Sequence, residues 1–197
     1  MATSAQLKRR AENQKLLEDK NVRAALEMIS RSEGTNGDYS LMVFGTVIKS
    51  ALYPSLIGKK NVRIPKLDRY PNILVKVNDK GLNSSAAGKY QIIQKTYLGA
   101  AASMGLTDFS PNTQDLIAVE LIRNRGAIPY ITKGDIKGAL TKTTLNKEWA
   151  SLAGAGYGQH ENSLEKLLGW FYDYAKENPG TVGGSAAVIV AAIAVFF

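Results

Sequence analysis

Apolar residues recur at helical spacing near the start of the chain and again over its second half, and a stretch with a different rhythm separates them. Val22, Ala25, Leu26 and Ile29 fall at i, i+3, i+4 and i+7, which predicts an amphipathic helix over 21–33. Gly34 follows as its stop, because glycine enters the left-handed conformation without a steric penalty. From Tyr90 the helical period resumes, with Tyr90, Ile93, Tyr97, Ala101 and Met104 on one face and Gly105 closing it. Ser110-Pro111 joins an N-cap to a proline at the first helical position, and Leu116, Val119 and Ile122 carry that helix towards Gly126. Asp135 can cap a shorter helix through Ala139 and Leu140. Residues 146–152, with Trp149, allow a further turn or two. Leu164, Leu167, Leu168 and Phe171 mark the last amphipathic helix, which Pro179-Gly180 terminates.

Residues 36–90 have another pattern. Asn36-Gly37-Asp38 is turn chemistry, and the runs Leu41–Phe44, Thr46–Ile48 and Ile73–Val77 are rich in strand formers. Pro54, Gly58, Pro65 and Pro71 punctuate the interval, and Asn78-Asp79-Lys80-Gly81 closes the last run. The prediction is an α+β protein: a mainly helical lobe and a small irregular β-lobe of short strands and long loops. Lys49, Lys59, Lys60, Arg63, Lys66 and Arg69 make that β-lobe basic.

The two ends differ from the domain expected over 21–178. Residues 1–20 carry Lys8, Arg9, Arg10, Glu12, Lys15, Glu18, Asp19 and Lys20, and read as a mobile charged arm. No apolar core follows the positive charges, so no secretory signal peptide is predicted. Residues 182–197 hold no charge. As a helix at ~1.5 Å per residue they would span roughly 24 Å, against a hydrocarbon core of about 30 Å. The tail at 179–197 is therefore a candidate membrane anchor, with docking into the domain core or self-association as the alternative.

Composition narrows the chemistry. The chain has 197 residues, no cysteine and one histidine, His160, which removes disulfides, thiolate catalysis and any multi-histidine metal site. No calcium-loop spacing is present, and neither a metal nor a cofactor is expected. The net charge of +8 favours an anionic partner. The cations are dispersed and no nucleic-acid-binding motif appears, so nucleic acid is not the expected partner. Gly154-Ala-Gly-Tyr-Gly158 has neither the spacing nor the βαβ setting of a dinucleotide loop, and the Gly-x-Ser-x-Gly of serine hydrolases is absent.

Glu33 stands out. It lies one turn beyond Ile29 on the stripe that should be buried, at the negative end of a helix dipole. Desolvation and that dipole both oppose ionisation, so both should raise its pKa and suit it to general acid work near neutral pH. Two further stretches have the character of ligand-facing loops. One is Asn83–Gln91, with hydroxyls at Ser84 and Ser85, a freeing Gly88, then Tyr90 and Gln91; the other is Trp149–Gln159, with glycines around Tyr157 and Gln159. An aromatic face beside amide and hydroxyl groups suits sugar rings.

Together, Ser32-Glu33-Gly34-Thr35, Ser84-x-Ala86-Ala-Gly-Lys-Tyr-Gln91, Gly105-Leu-x-Asp-Phe-Ser-Pro111, Arg125-Gly-Ala-x-Pro129, Gly134-Asp-Ile136 and Trp149-Ala-Ser-Leu-x-Gly-Ala-Gly-Tyr-Gly-Gln159 resemble the lambda endolysin family of phage lytic transglycosylases, in the family's order and over about 24–172. The resemblance implies a lysozyme-like fold with a saccharide cleft between its lobes. It also implies cleavage of the β-1,4 bond between N-acetylmuramic acid and N-acetylglucosamine in peptidoglycan. By position, Glu33 matches the catalytic acid, while Ser84, Ser85, Gly88, Tyr90, Gln91, Tyr157 and Gln159 match substrate-binding positions. Two stretches depart from the family. Tyr39-Ser-Leu-Met-Val-Phe-Gly45 stands where Tyr-Asp-Val-x-Val-Gly-Gly is usual, and Ala51-Leu-Tyr-Pro-Ser55 does not match the family's Asp-Tyr-Ser-x-His-Pro.

The expected function is therefore a monomeric phage enzyme acting on peptidoglycan glycan strands by lytic transglycosylation, for host lysis or for wall penetration at genome entry. It would work in the host periplasm, anchored to the inner membrane or carried in the virion. The alternatives are a hydrolytic muramidase, for which Asp38 is the nearest second carboxylate, and a non-catalytic wall-binding or membrane protein of the phage particle.

Overall fold

The computed structural model describes residues 1–178. The apolar run read as a membrane anchor lies outside the described residues, and among those described no helix is long and apolar enough to cross a membrane. The described chain contains seven α-helices and a three-stranded sheet, the α+β composition that the patterning predicts.

The second helix, α2 (Lys20–Ser32), is central. Asp19 caps it by accepting from the Asn21 and Val22 amides at 2.8 and 3.1 Å. Its predicted stripe is buried, and Ala24 and Met28 are fully covered as well, so more than one face is packed. Glu33 is the C-cap and Gly34 follows at φ +72°. The Gly34 amide then donates to the Arg31 carbonyl and the Thr35 amide to the Ser30 carbonyl, a Schellman closure that fixes the backbone bearing Glu33. Around α2 pack α4 (Pro111–Asn124), capped by Ser110; the short α5 (Ile128–Ile131); and α7 (Leu164–Glu177). Asp135 caps α6 (Ile136–Lys142) through the Gly138 amide at 2.8 Å.

Residues 1–20 are not a mobile arm. The first helix, α1 (Ser4–Leu16), starts with a Thr3–Gln6 capping box and lies against α4 and α3 (Gln94–Met104). It docks through polar groups. The Gln6 amide donates to the Ala102 carbonyl, and the Arg10 guanidinium to the Met104 and Gly105 carbonyls, satisfying the exposed C-terminal end of α3. Asn13 is wholly buried; its amide donates to Glu120 Oε2 at 2.7 Å, and its oxygen accepts from the Arg123 guanidinium. A search for apolar periodicity passes over a helix held in this way.

The β-lobe is an antiparallel meander, β1 (Thr46–Ser50), β2 (Ile73–Lys76) and β3 (Asn83–Ser84), with a bulge between Val47 and Lys49. Val47, Ile73 and Val75 face the core. Two expected elements differ. Leu41–Phe44 is not a strand; it is held by single bridges from Leu41 to Arg63 and from Met42 to Ala87, and the chain then turns at Gly45. The helix expected from Tyr90 begins at Gln94, because Gln91 takes a positive φ of 46° and Ile92 bridges to Ala87.

Candidate active site

Between the lobes lies a cleft of about 470 Å³, with Glu33 in its wall. The β-lobe contributes Val43, Val77, Leu82, Asn83, Ser84 and Ala86. Gln91, Ile93 and Thr96 follow, and Arg125 with the segment from Lys147 to Gln159 completes the opposite side.

Glu33 is positioned by the end of α2 and by the loop carrying Ser151. The Ser151 hydroxyl donates to Glu33 Oε1 at 2.5 Å, and a short hydrogen bond links the Ser151 and Ser32 hydroxyls. The buried Asn162 ties the same pieces together. Its amide donates to the Ser32 and Ser151 carbonyls, and its backbone N–H donates to the Ser151 carbonyl at 2.8 Å. Burial pushes the Glu33 carboxyl up to about 7, even though hydrogen bonds from the Ser151 side chain and backbone pull the other way. A carboxyl tuned in this way is substantially protonated at neutral pH and can both donate and recover a proton.

The other carboxylate of the cleft wall is Glu148, which the sequence reading did not single out. Arg125 donates to its Oε2 from Nε at 2.8 Å and from Nη2 at 2.7 Å, so Glu148 is held in an ion pair. Asp38 is not part of the cleft lining. It accepts from the Ser40 amide and hydroxyl and pairs with Arg63 at 2.7 Å. Burial acts to raise its carboxyl, but the Ser40 hydrogen bonds and the Arg63 guanidinium outweigh that and hold it below the usual range. Among the described residues no group of three or more metal-ligating side chains is assembled.

The structure brings Glu33, Ser84, Gln91, Tyr157 and Gln159 to this one cleft. Ser85, Gly88 and Tyr90 do not line it, and their residue types have other physical reasons. The Ser85 hydroxyl accepts from the Gln94 amide at 3.1 Å, so it caps α3. Gly88 has φ +76°, and a Cβ there would lie 2.0 Å from Gln114 Oε1, so the position requires a residue without a side chain for packing. Tyr90 is fully buried, and its hydroxyl donates to Asp115 at 2.5 Å, so its ring cannot stack on a sugar. Its carbonyl accepts from the Trp149 indole N–H at 3.0 Å, which joins the two loop segments behind the cleft. The glycine loop carrying Tyr157 is fixed by Glu161, whose carboxylate accepts from the Gly154 and Gly156 amides at 2.8 and 2.6 Å. Tyr157 itself stays exposed at the cleft mouth, its hydroxyl donating to the Lys147 carbonyl. Sequence reasoning missed Ser151, Glu148 and Arg125 as parts of the site. Ser151 lies inside the Trp149–Gln159 run, but its partnership with Glu33 spans 118 residues.

A family model described as Endolysin matches residues 23–177. The endolysin of Escherichia phage lambda is 37% identical over 161 residues, covering 81% of this chain and 92% of the relative. The endolysin of Escherichia phage P2 is 36% identical over 158 residues, covering 75% and 88%. Among solved structures, bacteriophage lambda lysozyme complexed with a chitohexasaccharide superimposes with a TM-score of 0.64 at 34% identity, covering 83% of this chain and 97% of that one. A second structure, lysozyme from bacteriophage lambda, gives 0.58 at 32% identity, with the same coverage. The fold is lysozyme-like, and the chain belongs to the endolysin family.

Proposed function

We propose that this endolysin degrades peptidoglycan during host lysis by cleaving the β-1,4 bond between N-acetylmuramic acid and N-acetylglucosamine, and that it does so by lytic transglycosylation. The observation that carries the reading is Glu33, a carboxyl with its pKa near 7, held by Ser151 in the wall of a cleft of about 470 Å³. The related lysozyme solved with a chitohexasaccharide supports a glycan as the ligand of the cleft.

The protonated Glu33 gives its proton to the glycosidic oxygen as the bond from that oxygen to C1 of the muramic residue breaks. The resulting carboxylate takes the proton of the muramic 6-hydroxyl, and O6 closes on C1. The acid is restored and a 1,6-anhydro end is left, with no water consumed. One carboxyl serves both steps, which agrees with Glu148 being engaged by Arg125. Ser84, Gln91, Tyr157 and Gln159 are assigned to binding the glycan strand.

Mass spectrometry of digested peptidoglycan tests the reaction, since the anhydro product is lighter by one water than the hydrolytic one. Muramic ends that are all reducing would make the enzyme a hydrolase. Glu33→Gln tests the residue: cleavage should stop while sacculus binding persists. Attachment to the inner membrane through residues 182–197 belongs to the same proposal and rests on the uncharged sequence of that run. Fractionation of lysing cells checks it, with recovery of the full chain in the soluble fraction as the opposing result.

A further inference from the structure

The rim of the β-lobe has features that cleavage of a glycan does not use. Between Asp38 and Asp68 there is no acidic residue, while the interval carries Lys49, Lys59, Lys60, Arg63 and Lys66. The same interval leaves large apolar side chains in water: Phe44 is 60% exposed, Ile57 52%, Ile48 42% and Leu52 41%. Backbone pairing gathers them. The Val47 amide donates to the Lys59 carbonyl and the Gly58 amide to the Val47 carbonyl, at 2.9 and 2.8 Å; Thr46 bridges Lys60, and the Asn61 amide donates to the Gly45 carbonyl. Residues 44–48 therefore run antiparallel to 57–61. Phe44 and Ile48 lie on one of the two paired segments, Ile57, Lys59 and Lys60 on the other, and Leu52 in the connection between them.

Val47 and Val62 are buried in the core, whereas residues 57–61 are all exposed. Clustered apolar exposure of this kind marks an interaction surface. A purely anionic polymer would be met by the lysines alone. Apolar side chains interleaved with lysines match a surface that offers negative headgroups with hydrocarbon directly beneath.

We propose that the rim formed by residues 44–60 docks on an anionic phospholipid bilayer. Phe44, Ile48, Leu52 and Ile57 enter the headgroup boundary, and Lys49, Lys59 and Lys60 face the phosphates. Val43, in the cleft wall, immediately precedes Phe44, so the docked rim is continuous with one side of the cleft.

The absence of cysteine allows a specific test on the full chain. Ile57→Cys, carrying an environment-sensitive fluorophore, should shift its emission to the blue on phosphatidylethanolamine–phosphatidylglycerol vesicles and not on phosphatidylcholine vesicles. The same probe at Thr141→Cys, exposed near the end of α6, should not respond, which separates rim docking from membrane attachment by any other part of the chain. Adding Lys59→Glu and Lys60→Glu should weaken the rim response to anionic vesicles by about tenfold or more, each basic residue near such a surface being worth roughly fivefold. Equal shifts on both vesicle types, equal shifts at Ile57 and Thr141, or no shift at Ile57 would overturn the proposal. A rim probe that responds to purified sacculi, or to protein concentration alone, and not to vesicles would assign the rim to the wall polymer or to a second copy of the chain, and would overturn it too. None of these readouts depends on cleavage, so they stand apart from the fate of the transglycosylase reading.

Discussion

The helical lobe covers Met28, Ile29, Ile117, Val119 and Ile122 completely, whereas the β-lobe leaves Phe44, Ile48, Leu52 and Ile57 largely in water. Glu33, partly exposed in the cleft wall at the end of α2, draws its desolvation from the first lobe, and the proposed membrane-docking rim belongs to the second. The difference follows from what each role needs. A carboxyl can be held protonated near pH 7 only where desolvation is maintained, which calls for close packing on several sides. A surface that meets another phase must keep its apolar groups outside the core, and three short strands joined by long loops leave many such positions. The departures from the family pattern also fall in the β-lobe, at 39–45, where Met42 is fully buried, and at 51–55, which is mostly exposed.

The largest effect should come from Glu33→Gln, which removes the acid. Cleavage should fall by about 10²–10⁴-fold or below detection, measured as turbidity loss of permeabilised cells. The same variant should gain stability at alkaline pH. The Glu33 carboxyl titrates near 7 in the folded chain and near 4.5 when unfolded, so between those values the folded form binds more protons and stability falls as pH rises. Above pH 7 the glutamine variant should therefore be more stable by about 1–3 kcal/mol, and the gain should vanish below pH 4.5. Denaturant midpoints at pH 4 and pH 8 check both statements. An equal gain at the two pH values would mean that burial of charge is not what tunes Glu33.

Truncation in the packed helical part should have the next largest effect. Phe109 is fully buried and edge-on to Tyr70 and Tyr97, so Phe109→Ala should cost about 3–5 kcal/mol. Asn13→Ala leaves the nearly covered Glu120 carboxylate without its donor from α1, and should cost about 1–3 kcal/mol. Thermal unfolding measures both, and no loss at Asn13 would return α1 to the status of an appendage. A smaller shift is expected at Ser151→Ala. Removing the hydroxyl that stabilises the Glu33 carboxylate should move the alkaline limb of the activity profile to higher pH. The smallest effect should come from Phe44→Ser, which should alter stability by less than about 0.5 kcal/mol because the ring contributes little to the core.

The helices that were easiest to read carry strong local signals. Ser110-Pro111, Asp135 and the Leu164–Phe171 stripe all appear as caps or faces of the expected helices. Tyr90 was misread because an aromatic beside glycines suits a ligand or a core equally well, and only the position of Asp115 decides between them. The first helix was misread because its anchors are single polar groups whose partners lie some 91–110 residues away.

Taken alone, then, the sequence determined the periodic elements, the α+β composition, the helix end that presents Glu33 and the basic, carboxylate-free interval from 39 to 67, because each depends on neighbours within a few residues. Tertiary structure decided which carboxyls are free for chemistry, by engaging Glu148 with Arg125 and placing Asp38 against Arg63. It also decided that Ser151 meets Glu33 and that Tyr90 turns inward. Those outcomes depend on desolvation and hydrogen-bond geometry between segments far apart in the chain, which no local pattern encodes.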